Sequence, residues 1–440
     1  MIKAFFKDSL LYTLSNLFTK GVGFLLLPIY TRLITKYEYG LFDYLTTLGA
    51  LLGVLVTLEV TQAIYRYMPD FKSNELRQVS IASTGLWFTV LMYLVLCAFS
   101  FLFSDFLAEL LLDDINHSNL IKVTSFLFFA NAILYNLMSL MRANLLSKQV
   151  VLISALNAIL VAFFSLIFVV YFKLGIKGLI FGQLIGSSIT FLFAFIFVKN
   201  WIRFKFCIST LKEMLSFSAP LIFSSLGVVL TMFIDRIMIK NILGAEQLAL
   251  YAVAIKIASI VSLLMIGFQS ALTPLIYANY KNVETPGKIA KLFHIYLVAA
   301  LFTFLLLGYS SSWLITIVVG KQYYESAMYT PILVCSALIS SMYIFFPGLS
   351  IEKKTTFIAG VNVFVGILNV VLNYIFIPIY GVQGAALSTL FSVLLSFILN
   401  SFFSQRYYKI PFSLSLVLSV SFVSIFFLFH LLVHNISSIN

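Results

Sequence analysis

The chain has 440 residues, of which 61% are hydrophobic and only 10% charged, and a net charge of +12. Soluble domains are about 45–50% apolar and about 25% charged, so a soluble fold would lack the polar residues to cover its surface. Apolar runs that exceed twenty residues without alternation exclude a β-barrel and leave an all-α polytopic membrane protein.

A bilayer core takes about 20 apolar residues per helix. In chain order, thirteen spans are expected at 9–33, 40–64, 79–103, 119–141, 149–172, 176–198, 215–239, 248–278, 292–319, 327–349, 356–378, 383–404 and 412–434. The first is too long for a cleavable signal and is expected to stay in the mature protein. The connections are short; the longest outer one, 104–118, is too small for a folded domain. With the N-terminus cytoplasmic, inner segments hold 18 Lys and Arg, outer segments 7, and the spans three, Lys20, Arg236 and Lys256. That asymmetry orients the chain with a cytoplasmic N-terminus. It also explains most of the positive charge as loops facing anionic membrane lipids. No nucleic-acid-binding motif accompanies it, so nucleic acid is not an expected partner.

Landmarks recur across the basic stretch Lys199–Lys212. Lys148 matches Lys354, and Gly175-Ile176-Lys177-Gly178 matches Gly381-Val382-Gln383-Gly384, all 206 residues apart. Gly40-Leu41-Phe42 pairs with Ala249-Leu250-Tyr251 at an offset of 209. Six spans per copy put both copies into the membrane from the same side, a parallel repeat. The expected organisation is an N-lobe at 1–200, a basic cytoplasmic linker at 201–214, a C-lobe at 215–404 and an extra transmembrane helix at 405–440. Two six-helix lobes of this kind surround a central cavity. Pro28, Pro220, Pro274, Pro331 and Pro347 lie in or at the ends of spans, where proline removes a backbone donor and bends helices.

A charge at a helix centre costs about 2.5–3.5 kcal/mol on insertion scales and faces a wet cavity or a partner. Lys20, Asp43, Asp235, Arg236 and Lys256 lie deepest; Glu59 and Arg66 sit near the inner end of the second span, and Arg32 at the outer end of the first. They concentrate on repeat-related helices, the first and seventh and the second and eighth. Lys20, Arg236, Lys256, Arg32 and Arg66 form the candidate set of cavity cations for an anionic head group, because Lys and Arg match phosphate oxygens. Arg32, Arg66 and Lys240 also suit interfacial snorkelling. Asp43, Glu59 and Asp235 are candidates for gating or for a coupling cation, and Asp235 also suits simple neutralisation of Arg236. Asn362, Asn369 and Asn373 recur on the eleventh span, and the last two are one turn apart; they suit cavity lining or hydrogen-bonded helix packing.

Three separated cysteines without CxxC, and four histidines without ligand spacing, predict neither disulfide framework nor metal site. The cysteines are expected to act as small hydrophobes. Neither GxxxxGK[ST] nor GxSxG occurs, so the sequence predicts a transporter that neither hydrolyses ATP nor acts as an enzyme.

Several segments together resemble a known family. They are Leu27-Pro28-Ile29-Tyr30-Thr31-Arg32-Leu33, Glu38-Tyr39-Gly40-Leu41, Ile234-Asp235-Arg236, Leu243-Gly244-Ala245 and Leu250-Tyr251. Later come Asn369, Asn373, Pro378, Tyr380 to Ala386, and Thr389. The pattern resembles the polysaccharide transporters of the multidrug/oligosaccharidyl-lipid/polysaccharide (MOP, MATE-like) superfamily, and among them the Wzx-type O-antigen and capsule repeat-unit flippases. The resemblance covers roughly residues 1–410. It implies alternating-access movement of undecaprenyl-diphosphate-linked oligosaccharide to the periplasmic leaflet of the bacterial inner membrane. It also implies H+ or Na+ gradient coupling in place of a bound cofactor, and a polysaccharide polymerase and chain-length regulator as partners. The thirteenth span departs from relatives with twelve or fourteen. Lipid II flippases and ion-coupled drug exporters share the superfamily and stand as alternatives. An O-antigen polymerase fits less well, because it would carry a large outer loop.

Overall fold

The computed structural model describes residues 2–71, 73–352 and 354–437, all helical or loop with no strand among them. Nine helical stretches among these residues are long and apolar enough to cross a membrane. One of them, Thr356–Tyr407, covers two expected spans. Two further helices cover the spans expected at 9–33 and 248–278, and a third, Leu221–Leu243, takes up most of the one expected at 215–239. The chain separates into two compact units, Met1–Val229 and Leu230–Asn440.

Unit 1 begins with α1 (Ile2–Leu33), α2 (Lys36–Thr57) and α3 (Val60–Tyr67). It continues through α4 (Glu75–Leu102), α5 (Ser104–Leu112), α6 (Ser118–Ala143) and α7 (Ser147–Leu166). The helices α8 (Gly175–Val198) and α9 (Ile208–Ser218) complete it, and α10 (Leu221–Leu243) crosses into unit 2. Local chemistry sets the helix starts. Thr35 and Glu38 form a reciprocal capping box at α2, Glu38 N donating to Thr35 Oγ1 at 3.2 Å and Thr35 N to Glu38 Oε2 at 3.1 Å. Asn74 caps α4 by accepting from Arg77 N at 3.0 Å. The core joins Ile64, Met68, Leu137 and Met141 to Met214 of the short α9.

Unit 2 holds α11 (Ala245–Asn279), α12 (Thr285–Leu314), α13 (Ser326–Ser341), α14 (Gly348–Ile351), α15 (Thr355–Tyr407) and α16 (Leu414–Ser437). Gly381 lies at φ 59°, ψ −141° and divides α15 into two helices. The extra C-terminal helix α16 packs on α12, where Phe427 meets Phe304 at 5.4 Å between ring centroids.

The repeat is visible in backbone geometry. Gly175 (φ 54°) and Gly381 (φ 59°) occupy the same left-handed region, open to glycine without strain. Three residues on, Gly178 and Gly384 each lie against the backbone of the preceding helix. A Cβ on Gly178 would sit 3.0 Å from the Phe168 carbonyl, and one on Gly384 would overlap the Phe376 carbonyl. The GxxG pairs are therefore a helix restart followed by a close helix crossing, built twice.

Candidate functional site

In unit 2, α10, α11 and both halves of α15 converge on one carboxylate. Asp235 is 3% exposed. Tyr251 OH donates to its Oδ2 at 2.6 Å, and Asn373 Nδ2 donates to its Oδ1 at 2.5 Å. Thr389 Oγ1 lies 2.5 Å from Oδ2 and 3.1 Å from the Ala385 carbonyl, so its single proton is shared between two acceptors. Asn373 Nδ2 also lies 3.1 Å from Asn369 Oδ1. A buried ionised carboxylate is tolerable only when such donors replace its water. The cluster is not self-sufficient: Asn373 Oδ1 and Asn369 Nδ2 are buried without a hydrogen-bond partner among the described residues. An unengaged acceptor beside a carboxylate, a hydroxyl and a backbone carbonyl makes a set of hard oxygens, the donor type that small hard cations take.

The candidate cations and acids distribute as follows. Lys20 and Arg32 are exposed on α1. Arg66 is exposed, ion-paired with Asp70 on the next turn, and its guanidinium lies 5.9 Å from the Tyr67 ring. Arg236 is half-buried, 5.5 Å over the Phe233 ring, and Lys256 is half-buried on α11. Lys240 is 2% exposed, deeper than the interfacial position its sequence suggested. Asp43 is half-buried on α2, and its carbonyl accepts from the Thr46 and Thr47 hydroxyls at 2.9 and 2.7 Å. Asn362 is half-buried on α15, outside the Asp235 cluster.

Glu59 lies at the break between α2 and α3 in unit 1 and is buried, where Leu58 and Glu59 both take left-handed φ, 49° and 55°. Two successive non-glycine residues there store strain of order 1–3 kcal/mol each. The break is secured by Ser218, whose hydroxyl donates to the Leu58 carbonyl at 2.8 Å, and by Gln62 N, which donates to the Glu59 carbonyl at 2.8 Å. It delivers the Glu59 side chain to a cavity of about 420 Å³ inside unit 1.

The structure thus brings Asp235, Asn369 and Asn373 together within unit 2, while Glu59 belongs to unit 1. Sequence reasoning missed Tyr251 and Thr389 as partners of Asp235. Both stood in the segments that carried the family resemblance, but uncharged hydroxyls give no depth signal. It also misjudged Cys207, which is no buried hydrophobe. It precedes α9 at the helix N-terminus, and hydrogen bonds from Ser209 and Thr210 hold its thiol down at about 6.

Comparison with known proteins adds the family. The profile described as "Polysaccharide biosynthesis protein" matches residues 5–280, and that of the MatE family matches residues 220–375. A protein of the Lsg locus of Haemophilus influenzae is 26% identical over 366 residues, 77% of this chain and 82% of its own length. A membrane protein of Methanocaldococcus jannaschii is 21% identical over 424 residues, 90% of this chain and 83% of its own. Among solved structures, an inward-facing MATE multidrug resistance transporter of the MOP superfamily superposes with a TM-score of 0.67 at 16% identity, covering 89% of this chain and 94% of that one. An outward-facing one gives 0.58 at 18% identity, covering 92% and 95%. At these identities the structures establish the fold, and the family profile, matching more than half of the chain, establishes the lineage. The chain belongs to the polysaccharide biosynthesis protein family and is a multi-pass membrane transporter of the MOP superfamily with a MATE-type fold.

Proposed function

We propose that this transporter is a flippase. It moves undecaprenyl-diphosphate-linked oligosaccharide repeat units across the bacterial inner membrane, N-terminus cytoplasmic, for surface polysaccharide assembly. The observation that carries the anionic substrate is the placement of Lys20, Arg236 and Lys256 within the long apolar helices α1, α10 and α11. Cations are costly there, and a diphosphate repays them with charge-assisted hydrogen bonds. The polyprenyl tail stays in lipid while the polar head crosses.

The Asp235 cluster supplies the coupling. Its carboxylate, the Asn373 amide oxygen, the Thr389 hydroxyl and the Ala385 carbonyl suit Na+; protonation of the same carboxylate suits H+. Either event removes the charge that Tyr251, Thr389 and Asn373 stabilise, and so changes the hydrogen bonding between α10, α11 and α15. A ligand that distinguishes two arrangements of those helices shifts their populations by its differential affinity.

The test is deletion of the gene with leaflet assignment of lipid-linked sugar. Single repeat units accumulating on the cytoplasmic leaflet, with loss of surface polysaccharide, are expected. Single units reaching the periplasmic leaflet without chain growth would instead indicate a polymerase. An unchanged lipid-linked sugar pool with heightened sensitivity to cationic drugs would move the assignment to the drug exporters.

A further inference from the structure

The cavity in unit 1 has a chemistry of its own. Three amides and a carboxylate line it from four places in the chain: Glu59 at the α2–α3 break, Gln62 on α3, Asn131 on α6 and Gln183 on α8. None of the four makes a side-chain hydrogen bond or ion pair among the described residues. Elsewhere in the same wall, threonine hydroxyl protons are already engaged. Thr46 and Thr57 donate to the Asp43 and Gly53 carbonyls at 2.9 and 2.8 Å, which leaves them as acceptors. Amides supply donors and acceptors together, the pattern a hydroxyl needs, since each hydroxyl both donates and accepts. Aromatic faces complete the wall. Tyr93, Tyr135 and Phe128 line it, and Phe128 packs where a Cβ on Gly49 would overlap its ring.

Volume decides between ligand classes. About 420 Å³ lies within the roughly 300–1,000 Å³ of small-molecule sites. It far exceeds the oxygen shell of a bare cation, at about 2.3–2.6 Å from the ion. Unpartnered amides, acceptor hydroxyls, a carboxylate and aromatic faces around such a space describe a carbohydrate site. We infer that the unit-1 cavity binds a sugar residue of the lipid-linked oligosaccharide, a neutral or amino sugar, with Glu59 accepting from a hydroxyl or ammonium group and repelling acidic sugars. This rests on the flippase reading above and adds to it a place for the glycan and a charge rule for its composition.

Purified full-length protein, titrated with methyl glycosides and observed by saturation-transfer NMR, tests it. Methyl glucoside, methyl N-acetylglucosaminide and methyl glucosaminide serve as neutral and cationic probes, and methyl glucuronide as the acidic one. At least one neutral or amino glycoside is expected to bind, and the glucuronide is not. Ala132→Trp, which fills the cavity without touching the polar set, should weaken the bound glycoside at least tenfold. Glu59→Gln should admit the glucuronide, a gain that misfolding cannot imitate. No glycoside binding to the wild-type protein, or binding indifferent to both substitutions, overturns the inference. Missing glycoside binding alongside cytoplasmic-leaflet accumulation in the deletion strain would sink the sugar site and leave the flippase reading standing. Glycoside binding without any leaflet phenotype would do the reverse.

Discussion

The two units share a backbone plan and differ in what they place at equivalent positions. Thr389 of unit 2 and Gln183 of unit 1 are 206 residues apart. Thr389 is bound to Asp235 at 2.5 Å, whereas Gln183 has no side-chain partner among the described residues and lines the 420 Å³ cavity. At offsets of 206 and 209, Asp235 falls on Ile29 and Leu26, so unit 1 has no acid at that place. Its acid, Glu59, comes from the strained α2–α3 break instead. Duplication preserved the helix crossings, which backbone contact enforces, and released the polar interior, which packing does not constrain. One unit closed around a carboxylate and the other kept an open polar space.

The largest expected effect lies in the closed unit. Asp235→Ala removes the acceptor of the buried Tyr251 hydroxyl, a loss of about 1–3 kcal/mol, and leaves Thr389 only the Ala385 carbonyl and Asn373 Nδ2 only Asn369 Oδ1. It should lower the melting temperature and abolish transport in a complementation assay. Wild-type stability with full transport would show that the cluster is ornamental.

Glycine substitution compares the two crossings directly. Gly384→Ala would drive a Cβ into the Phe376 carbonyl, whereas in Gly178→Ala the backbone lies 3.0 Å away. Overpacking typically costs 1–3 kcal/mol or more. Thermal unfolding should place Gly384→Ala at or above the top of that range and Gly178→Ala below it; the opposite order would break the comparison.

Sodium should distinguish the units more gently. A ligand at one hundred times its Kd stabilises by about 2.7 kcal/mol. NaCl, against choline chloride at equal ionic strength, should raise the melting temperature of the wild type and of Glu59→Gln but not of Asn373→Leu. No sodium response in the wild type at any pH would leave H+ as the coupling ion.

Smaller effects belong to the surface of unit 1. Arg66→Ala removes an exposed pair with Asp70 and should cost no more than about 1 kcal/mol, with transport retained. Cys207 has a depressed pKa, so its thiolate is present above about 6 and lost below it. Iodoacetamide labelling at that residue should rise to half its maximum near that pH, and Ser209→Ala should move the midpoint upward, toward the free-cysteine value of about 8.5.

Much of the architecture was legible because the bilayer simplifies it. Each of the thirteen expected spans overlaps a helix, although the second is broken at Leu58 and Glu59, the seventh begins in α9 and the eleventh and twelfth are joined in α15, and the GxxG repeat reappears as matched left-handed glycines. Asn369 and Asn373 were visible as a one-turn pair. Which carboxylate they serve was not, because their partner lies 138 residues before Asn373, on α10. The cavity was invisible for a similar reason. Gln62, Asn131 and Gln183 sit on three different helices, and no local pattern joins them.

By itself, then, the sequence determined the membrane class through hydropathy, the duplication through glycine spacing, and the superfamily through the resemblance carried by segments such as Ile234-Asp235-Arg236, because all of these signals act along the chain. Only the tertiary structure decided that Asp235 is enclosed by Tyr251, Asn373 and Thr389 while Glu59 faces open space. Those outcomes depend on which helix faces meet and on how the chain turns at Leu58 and Glu59. Packing between distant segments sets both.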